Sequence, residues 1–152
     1  MRAYFLPLAA GGLLAASAFL PWVVHGGIGV GGVPSASALW ILALGVAAMV
    51  LASLSVVTRK NSRHPLLLVG LVALAIEFLA WQWLHRSLTE QAWASSQARA
   101  IVEGGHAVAP GVTTVGAGLY LGIVAAGILV LFGLTIVVKK AAQPYAAPED
   151  DV

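Results

Sequence analysis

The chain alternates between long apolar stretches and short polar connections. Four stretches have about the ~20 residues that a helix needs to cross ~30 Å of hydrocarbon. They are residues 4–24, 38–57, 65–84 and 115–138. Apolar residues occupy every face of these stretches, whereas a membrane β-strand needs an alternating pattern. Because lipid offers no hydrogen-bond partner to the backbone, the pattern predicts an all-α integral membrane protein, a four-helix bundle in one domain, residues 1–140.

The connection after the third stretch is itself typical of a helix. Between Gly70 and Gly104 there is neither glycine nor proline, and good helix formers dominate residues 86–102. The sequence therefore predicts a third helix that continues outside the membrane and ends at Gly104, which suits a C-terminal cap. A break near residues 85–87 followed by a separate short helix is the alternative. Residues 106–114 are predicted to form a return loop.

The connection after the first stretch is rich in glycine. Gly27, Gly29 and Gly32 match the spacing of the dinucleotide-binding fingerprint. That fingerprint needs a soluble strand before it, a helix opening on it and an acidic residue about 20 positions later. Residues 49–51 are apolar instead. We expect a tight turn or a small hairpin here and no nucleotide binding.

Composition supports a membrane protein and excludes other classes. Hydrophobic residues make up 60% of the 152 residues and charged residues 9%, against roughly a quarter charged in soluble domains. Disorder, coiled coil and nucleic-acid binding are excluded for the bulk of the chain. The absence of cysteine excludes a disulfide framework, a thiolate metal site and a cysteine nucleophile.

The basic residues predict the orientation of the helices. Six of them fall on one side of the predicted membrane, namely Arg2, Arg59, Lys60, Arg63, Lys139 and Lys140. Arg86 and Arg99 fall on the other side. Because Lys and Arg are enriched in cytoplasmic connections, both termini and residues 58–64 are predicted to be cytoplasmic. Four tryptophans fall where an interfacial aromatic belt lies: Trp22, Trp40, Trp81 and Trp83.

Both ends of the chain carry further signals. Arg2, the apolar run and Ala16-Ser17-Ala18 are also typical of a signal peptide with a cleavage site after residue 18. The apolar run continues to residue 24 and the basic region is a single arginine, so an uncleaved helix is favoured. Residues 141–152 are short, polar and rich in proline, which predicts a disordered cytoplasmic tail.

Glu77 is the only acidic or basic side chain inside a predicted span. A charge at the bilayer centre costs about 2.5 kcal/mol or more, so Glu77 should face protein or water, or be protonated. Gly70, Ala73 and Ala80 share its helix face, and small residues mark helix contacts in membranes. Two interpretations remain: a carboxyl that binds a proton or ligand, or a protonated carboxyl that joins two helices.

Counting the helix rise places residues of the other spans at the depth of Glu77. They are Ser17 on the first helix, Gly45 on the second, and Tyr120 or Gly122 on the fourth. We expect a small polar pocket in which Ser17 and Tyr120 are hydrogen-bond partners of Glu77.

The fourth stretch carries a stripe of small residues. Gly118, Gly122 and Ala126 are spaced by four, which allows close approach of another helix. We favour packing within the chain over packing against another subunit. No Ser–His–Asp set, phosphate loop or pair of carboxylates is present, so we expect no catalytic residue and no enzymatic activity.

His25, His85 and His106 are the candidates for a metal or haem site. All three lie on the non-cytoplasmic side of the predicted topology, and His25 and His85 both end spans. No HxxxH or HExxH spacing occurs, and no acidic ligand is paired with them. We therefore expect histidines at the membrane interface, with neither metal nor cofactor.

Two short motifs resemble those of a known group. Leu20-Pro21-Trp22-Val23 closes the first span, and Gly116-x-Gly118-Leu119-Tyr120-Leu121 opens the last. Together with the basic second connection they resemble small four-helix bacterial inner-membrane proteins. The resemblance implies four helices in a bacterial cytoplasmic membrane and implies no activity. Claudin-type proteins are similar in shape alone, since they have a longer first loop with a cysteine pair.

These observations predict a non-enzymatic protein that lies in the lipid bilayer and binds other membrane subunits as an accessory or scaffolding subunit. The alternative is a small transporter or sensor in which Glu77 binds a proton, an ion or a lipid-like ligand. A haem- or metal-binding redox subunit, with His25 and His85 as ligands, is a further alternative.

Overall fold

The computed structural model describes residues 4–58, 62–106, 109 and 111–141, and side chains as far as residue 135. Within these residues the chain forms four helices and one three-stranded sheet. The helices are α1 (Phe5–Ser17), α2 (Ala36–Thr58), α3 (Arg63–Glu103) and α4 (Ala117–Ala141). The strands are β1 (Val23–His25), β2 (Ile28–Val30) and β3 (Thr113–Val115). The protein is mostly helical as predicted, but the all-α prediction missed the sheet.

Three helices of the described chain are long and apolar enough to cross a membrane. They are α2, α3 and the part of α4 from Ala117 to Thr135. The first helix, α1, is equally apolar but has only 13 residues, or about 20 Å. The first predicted span, residues 4–24, is therefore too long as a single helix.

Pro21 explains the early end of α1. After Ser17 the backbone tightens into a turn in which the N–H of Leu20 donates to the Ser17 carbonyl at 3.3 Å. Proline has no N–H and disfavours a helical residue before it, so the helix cannot continue through residue 21. The N–H of Trp22 then donates to the Val30 carbonyl at 3.1 Å, and the chain enters the sheet.

The sheet begins with the predicted glycine-rich hairpin. β1 and β2 pair antiparallel, and Gly26 and Gly27 between them have φ of 56° and 84°. Two positive φ values are what a two-residue hairpin turn of type I′ requires. β3 pairs antiparallel with the other edge of β1, with Val23 opposite Val115. The predicted return loop therefore ends in a strand.

The third helix is continuous, as the absence of glycine and proline predicts. It runs over 41 residues without the alternative break near residues 85–87, which makes it about 62 Å long. It ends at Gly104, which has φ of 69° and whose N–H donates to the Ala100 carbonyl. This is the predicted glycine cap, and α3 is about twice as long as a membrane span needs to be.

Glycine lets the helices approach to backbone contact. α1 packs on α2 and α4, and α3 packs on α4 and α2. A Cβ on Gly45 of α2 would lie 2.6 Å from the Ala15 nitrogen and 2.8 Å from the Gly11 oxygen of α1. A Cβ on Gly70 of α3 would lie 3.0 Å from the Ala126 oxygen of α4. The two distances at residue 45 are shorter than real Cβ atoms show, so the α1–α2 contact requires glycine, and at residue 70 the added Cβ would also lie 2.9 Å from Cγ2 of Val130.

Part of the predicted topology lies outside the described residues. This holds for Arg2, Arg59, Lys60, the side chains of Lys139 and Lys140, and residues 142–152 of the tail. One tryptophan of the predicted aromatic belt lies in the interior of the protein. Trp40 and Trp83 are 65% and 77% exposed, whereas Trp22 is 1% exposed and belongs to the core.

We predict that Gly45→Ala destabilises the protein and Gly127→Ala does not. The new methyl group at residue 45 forces α1 away from α2, at a cost of about 1–3 kcal/mol in the free energy of unfolding. Gly127 lies in α4 with nothing within 4 Å of the added Cβ, so helix propensity favours alanine there. Unfolding in sodium dodecyl sulfate, followed by far-ultraviolet circular dichroism, measures both. Equal midpoints for the two variants would contradict the close α1–α2 contact.

Candidate functional site

Glu77 is fully buried in the interior of the protein, with 0% of its surface exposed. It lies on one face of α3 together with the buried residues Gly70, Ala73 and Ala80. These small neighbours bring α3 close to α4, as their spacing along the sequence suggests. The carboxyl group is therefore enclosed by protein.

A glycine of α4 provides the space for this carboxyl group. A Cβ on Gly122 would overlap Oε1 of Glu77 and would lie 3.0 Å from Oγ of Ser17. Three helices thus contribute to one small cluster: Ser17 from α1, Glu77 from α3 and Gly122 from α4. Any side chain at residue 122 would occupy the volume that the carboxyl fills.

The Glu77 carboxyl has no hydrogen-bond partner in the described part of the chain. This holds for both of its oxygens, which are also closed off from the surface. The Ser17 hydroxyl donates to the Leu14 carbonyl at 2.7 Å instead, a bond that helical serines commonly make with the preceding turn. Ser17 therefore lies beside Glu77, but the predicted hydrogen bond between them is not formed.

Two other residues predicted at this depth lie elsewhere. Tyr120 is 61% exposed. It is two residues from Gly122, which turns its side chain about 200° around α4 and away from Glu77. Gly45 packs against Gly11 and Ala15 of α1 rather than against the carboxyl. The predicted polar pocket is therefore not formed as expected. The Glu77 carboxyl is enclosed beside Ser17, and the Ser17 hydroxyl donates its hydrogen bond to its own helix.

A cavity of about 270 Å³, which we call the α3/α4 groove, lies beside Glu77. It is lined by Leu74, Glu77, Phe78, Trp81, Leu119 and Ile123. Glu77 is the only one of them with an ionisable side chain. Phe78 is 55% exposed and Ile123 is 41% exposed, so the groove opens on the outer surface of the helices.

The small-residue stripe of α4 faces the interior of the chain. A Cβ on Gly118 would lie 2.9 Å from the Ser17 oxygen and 2.7 Å from Cδ1 of Trp22. Gly122 faces Glu77, and the Ala126 backbone contacts α3. The Trp22 indole, whose role the sequence did not reveal, donates to the Ser17 carbonyl at 3.0 Å. The stripe and this tryptophan together enclose the end of α1.

The histidines do not converge on a common site. Nδ1 of His25 lies 2.7 Å from Oγ1 of Thr113, which ties β1 to β3. His25 and His106 border a cleft of about 410 Å³ beside α3. The His85 ring lies against Trp81, with 6.1 Å between ring centres. In residues 4–58, 62–106, 109 and 111–141, no three His, Asp or Glu side chains form a group that could hold a metal ion.

Known proteins offer no template for this site. No protein-family model, no curated protein and no solved structure matches the chain.

We predict that Gly122→Ala destabilises the protein through Glu77. The added methyl overlaps the carboxyl and should cost about 1–3 kcal/mol in the free energy of unfolding. In a Glu77→Ala background the same change should cost much less, giving a coupling of about 0.5–3 kcal/mol in a double-mutant cycle. Gly118→Ala is the matched control, because its methyl meets the Ser17 and Leu20 backbone and should cost the same in both backgrounds. A coupling of zero for residue 122 would contradict the contact.

Proposed function

We propose that the protein is a non-enzymatic accessory or scaffolding subunit of a larger membrane complex. The observation that carries the proposal is the exposure of residues 86–103, which we call the distal half of α3. No side chain in this segment is buried. A partner subunit that packs along the segment would account for this exposure.

The distal half of α3 is poorly supported by the chain itself. Most helical stability comes from tertiary packing, and this segment packs less closely against the chain than the first part of α3, which holds all of the buried residues of this helix. Arg86 donates to Oε1 of Glu90 at 2.8 Å, and this hydrogen bond raises the pKa of the guanidinium. Both side chains are exposed, so the ion pair contributes little to stability. The segment therefore gains most by packing against another protein.

One face of this segment is already covered by the chain. Leu88, Ala92, Ser96 and Ala100 are half-buried at a spacing of four. The last three border the cleft beside His25, so this face is turned toward the sheet. Trp93 and Ile101 lie outside this stripe and are 44% and 82% exposed. We place the partner on the Trp93 and Ile101 side, because exposed aromatic and aliphatic side chains are typical of interfaces.

The proposal includes a location and a topology. We place the protein in a bacterial cytoplasmic membrane as a four-helix bundle with both termini in the cytoplasm. The excess of Lys and Arg at the termini and in residues 58–64 supports this orientation. The sheet and the distal half of α3 then lie outside the cytoplasm.

We expect partner subunits to co-purify with the tagged protein from its native membrane in a mild detergent. Trp93→Gln combined with Ile101→Gln should lose these partners, because both changes remove apolar contact area at exposed positions. Ser87→Ala combined with Gln91→Ala is the matched control: both residues are exposed in the same segment but lie outside the stripe that holds Trp93 and Ile101, so this variant should retain the partners. Mass spectrometry of the eluted proteins measures the outcome. A clean monomer or homo-oligomer, or full retention by the first variant, would contradict the accessory role.

The absence of cysteine makes the topology directly testable. A single cysteine at Ser95, in the distal half of α3, should react with a membrane-impermeant maleimide added to intact spheroplasts. A single cysteine at Gln143 should react only after the membrane is permeabilised. The opposite pattern would invert the proposed orientation, and labelling of both in intact spheroplasts would place the C-terminus on the same side of the membrane as the distal half of α3.

Glu77 supports a second candidate function in transport or sensing. An intramembrane carboxyl without a hydrogen-bond partner is costly, and such residues commonly bind protons, ions or ligands. Since this role depends on the carboxyl, Glu77→Gln should remove it while preserving the size of the side chain. The two candidate functions use different parts of α3 and do not exclude each other.

A further inference from the structure

We propose that the α3/α4 groove binds an amphiphilic primary amine, with the Glu77 carboxylate as counter-ion to the protonated amine. The inference rests on the second candidate function and is independent of the accessory role. It joins two observations: a buried carboxyl without a partner and an apolar groove that reaches the same side chain.

The chemistry of the carboxyl favours a cationic donor over other ligands. A protonated amine offers three N–H donors and the opposite charge, and both interactions are stronger out of water. An anion would be repelled by the carboxylate. A divalent metal ion needs several oxygen ligands, and Glu77 is the only residue lining the groove that has a side-chain oxygen. An uncharged apolar molecule would leave the carboxyl without a partner.

The lining of the groove favours a ligand with a long apolar part. Leu74, Leu119 and Ile123 provide aliphatic surface along the groove. Phe78, the residue after Glu77, and Trp81, one helical turn further on, add aromatic rings to the lining, and aromatic rings attract ammonium groups. Because the groove opens on the outer surface of α3 and α4, a ligand dissolved in the bilayer can enter it from the side.

The depth of Glu77 favours a free amine over the headgroup of a lipid. Glu77 is seven residues before Leu84, the end of the third predicted span, or about 10 Å along the helix. The amine of a phospholipid lies in the headgroup layer. It cannot reach this depth unless the polar glycerol backbone also moves into the hydrocarbon. A free alkylamine has no such restraint.

Binding of the amine requires the Glu77 carboxyl to move from its buried position into the groove. In the structure Oε1 of Glu77 lies against Gly122, while the side chain also lines the groove. The proposed ion pair requires rotation about the side-chain bonds of Glu77, which turns the carboxyl from Gly122 toward the groove.

The test uses the full chain in nanodiscs of phosphatidylcholine, whose headgroup is not a primary amine. Radiolabelled dodecylamine is the probe, and dodecanol is its uncharged counterpart. Wild-type discs should bind dodecylamine saturably, at one molecule per chain, above the linear uptake of empty discs. Glu77→Gln should weaken this binding by about a hundredfold or more, because the ammonium loses its desolvated counter-ion. Dodecanol should show no saturable binding.

A second pair of variants tests the groove while keeping Glu77. Ile123→Trp fills the groove and should abolish saturable binding. Val124→Trp, at the neighbouring position that is 59% exposed, should leave it unchanged. Far-ultraviolet circular dichroism and gel filtration check the fold of each variant. If Glu77→Gln does not fold, this pair alone decides the proposal.

Several results would overturn the inference. Equal dodecylamine binding by wild type and Glu77→Gln would exclude the ion pair, and saturable dodecanol binding would show a purely apolar site. Displacement of dodecylamine by phosphatidylethanolamine in the discs would assign the groove to a lipid headgroup. If Glu77→Gln fails to complement a deletion strain while dodecylamine binds neither protein, the second candidate function stands and the amine is wrong.

Discussion

The segment that follows α1 lies against the start of α4 at backbone contact, and much of the structure depends on this junction. The Pro21 and Trp22 carbonyls accept hydrogen bonds of 2.9 and 2.7 Å from the N–H groups of Gly118 and Gly116. The N–H groups at a helix start have no partner within the helix, so the junction satisfies α4 while it fixes the end of α1. Only glycine allows this approach, since a Cβ on Gly116 would overlap the Pro21 carbonyl. The motifs around residues 20–23 and 116–121 are therefore the two sides of one contact.

The sequence predicts a helix well where local composition determines it. It predicts the conformation poorly where pairing with a segment distant in sequence determines it. Residues 36–58 and the long α3 follow from apolar runs and from the absence of glycine and proline. The end of α1 does not, because the chain stays apolar past Ser17 while Pro21 and pairing with β3 decide its conformation. β3 itself covers three residues and pairs with a strand some ninety residues earlier, so it leaves no local pattern.

The sequence predicted the positions of the site residues along the helix axes but not the directions in which their side chains point around those axes. The rise of each helix placed Ser17 and Gly122 at the level of Glu77, and both are there. The same count admitted Tyr120, since height along a helix does not give the angle around it. The hydrogen bonds of the site were harder to predict than its residues. The Ser17 hydroxyl could donate either to Glu77 or to the backbone of its own helix, and it donates to the Leu14 carbonyl. The Glu77 carboxyl is therefore left without a hydrogen-bond partner among the described residues.

Because α3 is uninterrupted, a tilt at one point of this helix displaces its far end. Glu77 and Ile101 lie on one helix about 36 Å apart, and no glycine or proline between them can absorb a bend. A tilt of about 10° at Glu77 would therefore move Ile101 sideways by about 6 Å. That displacement exceeds the reach of most side-chain contacts. Any change of tilt at the level of Glu77 would therefore be passed along the helix to its far end.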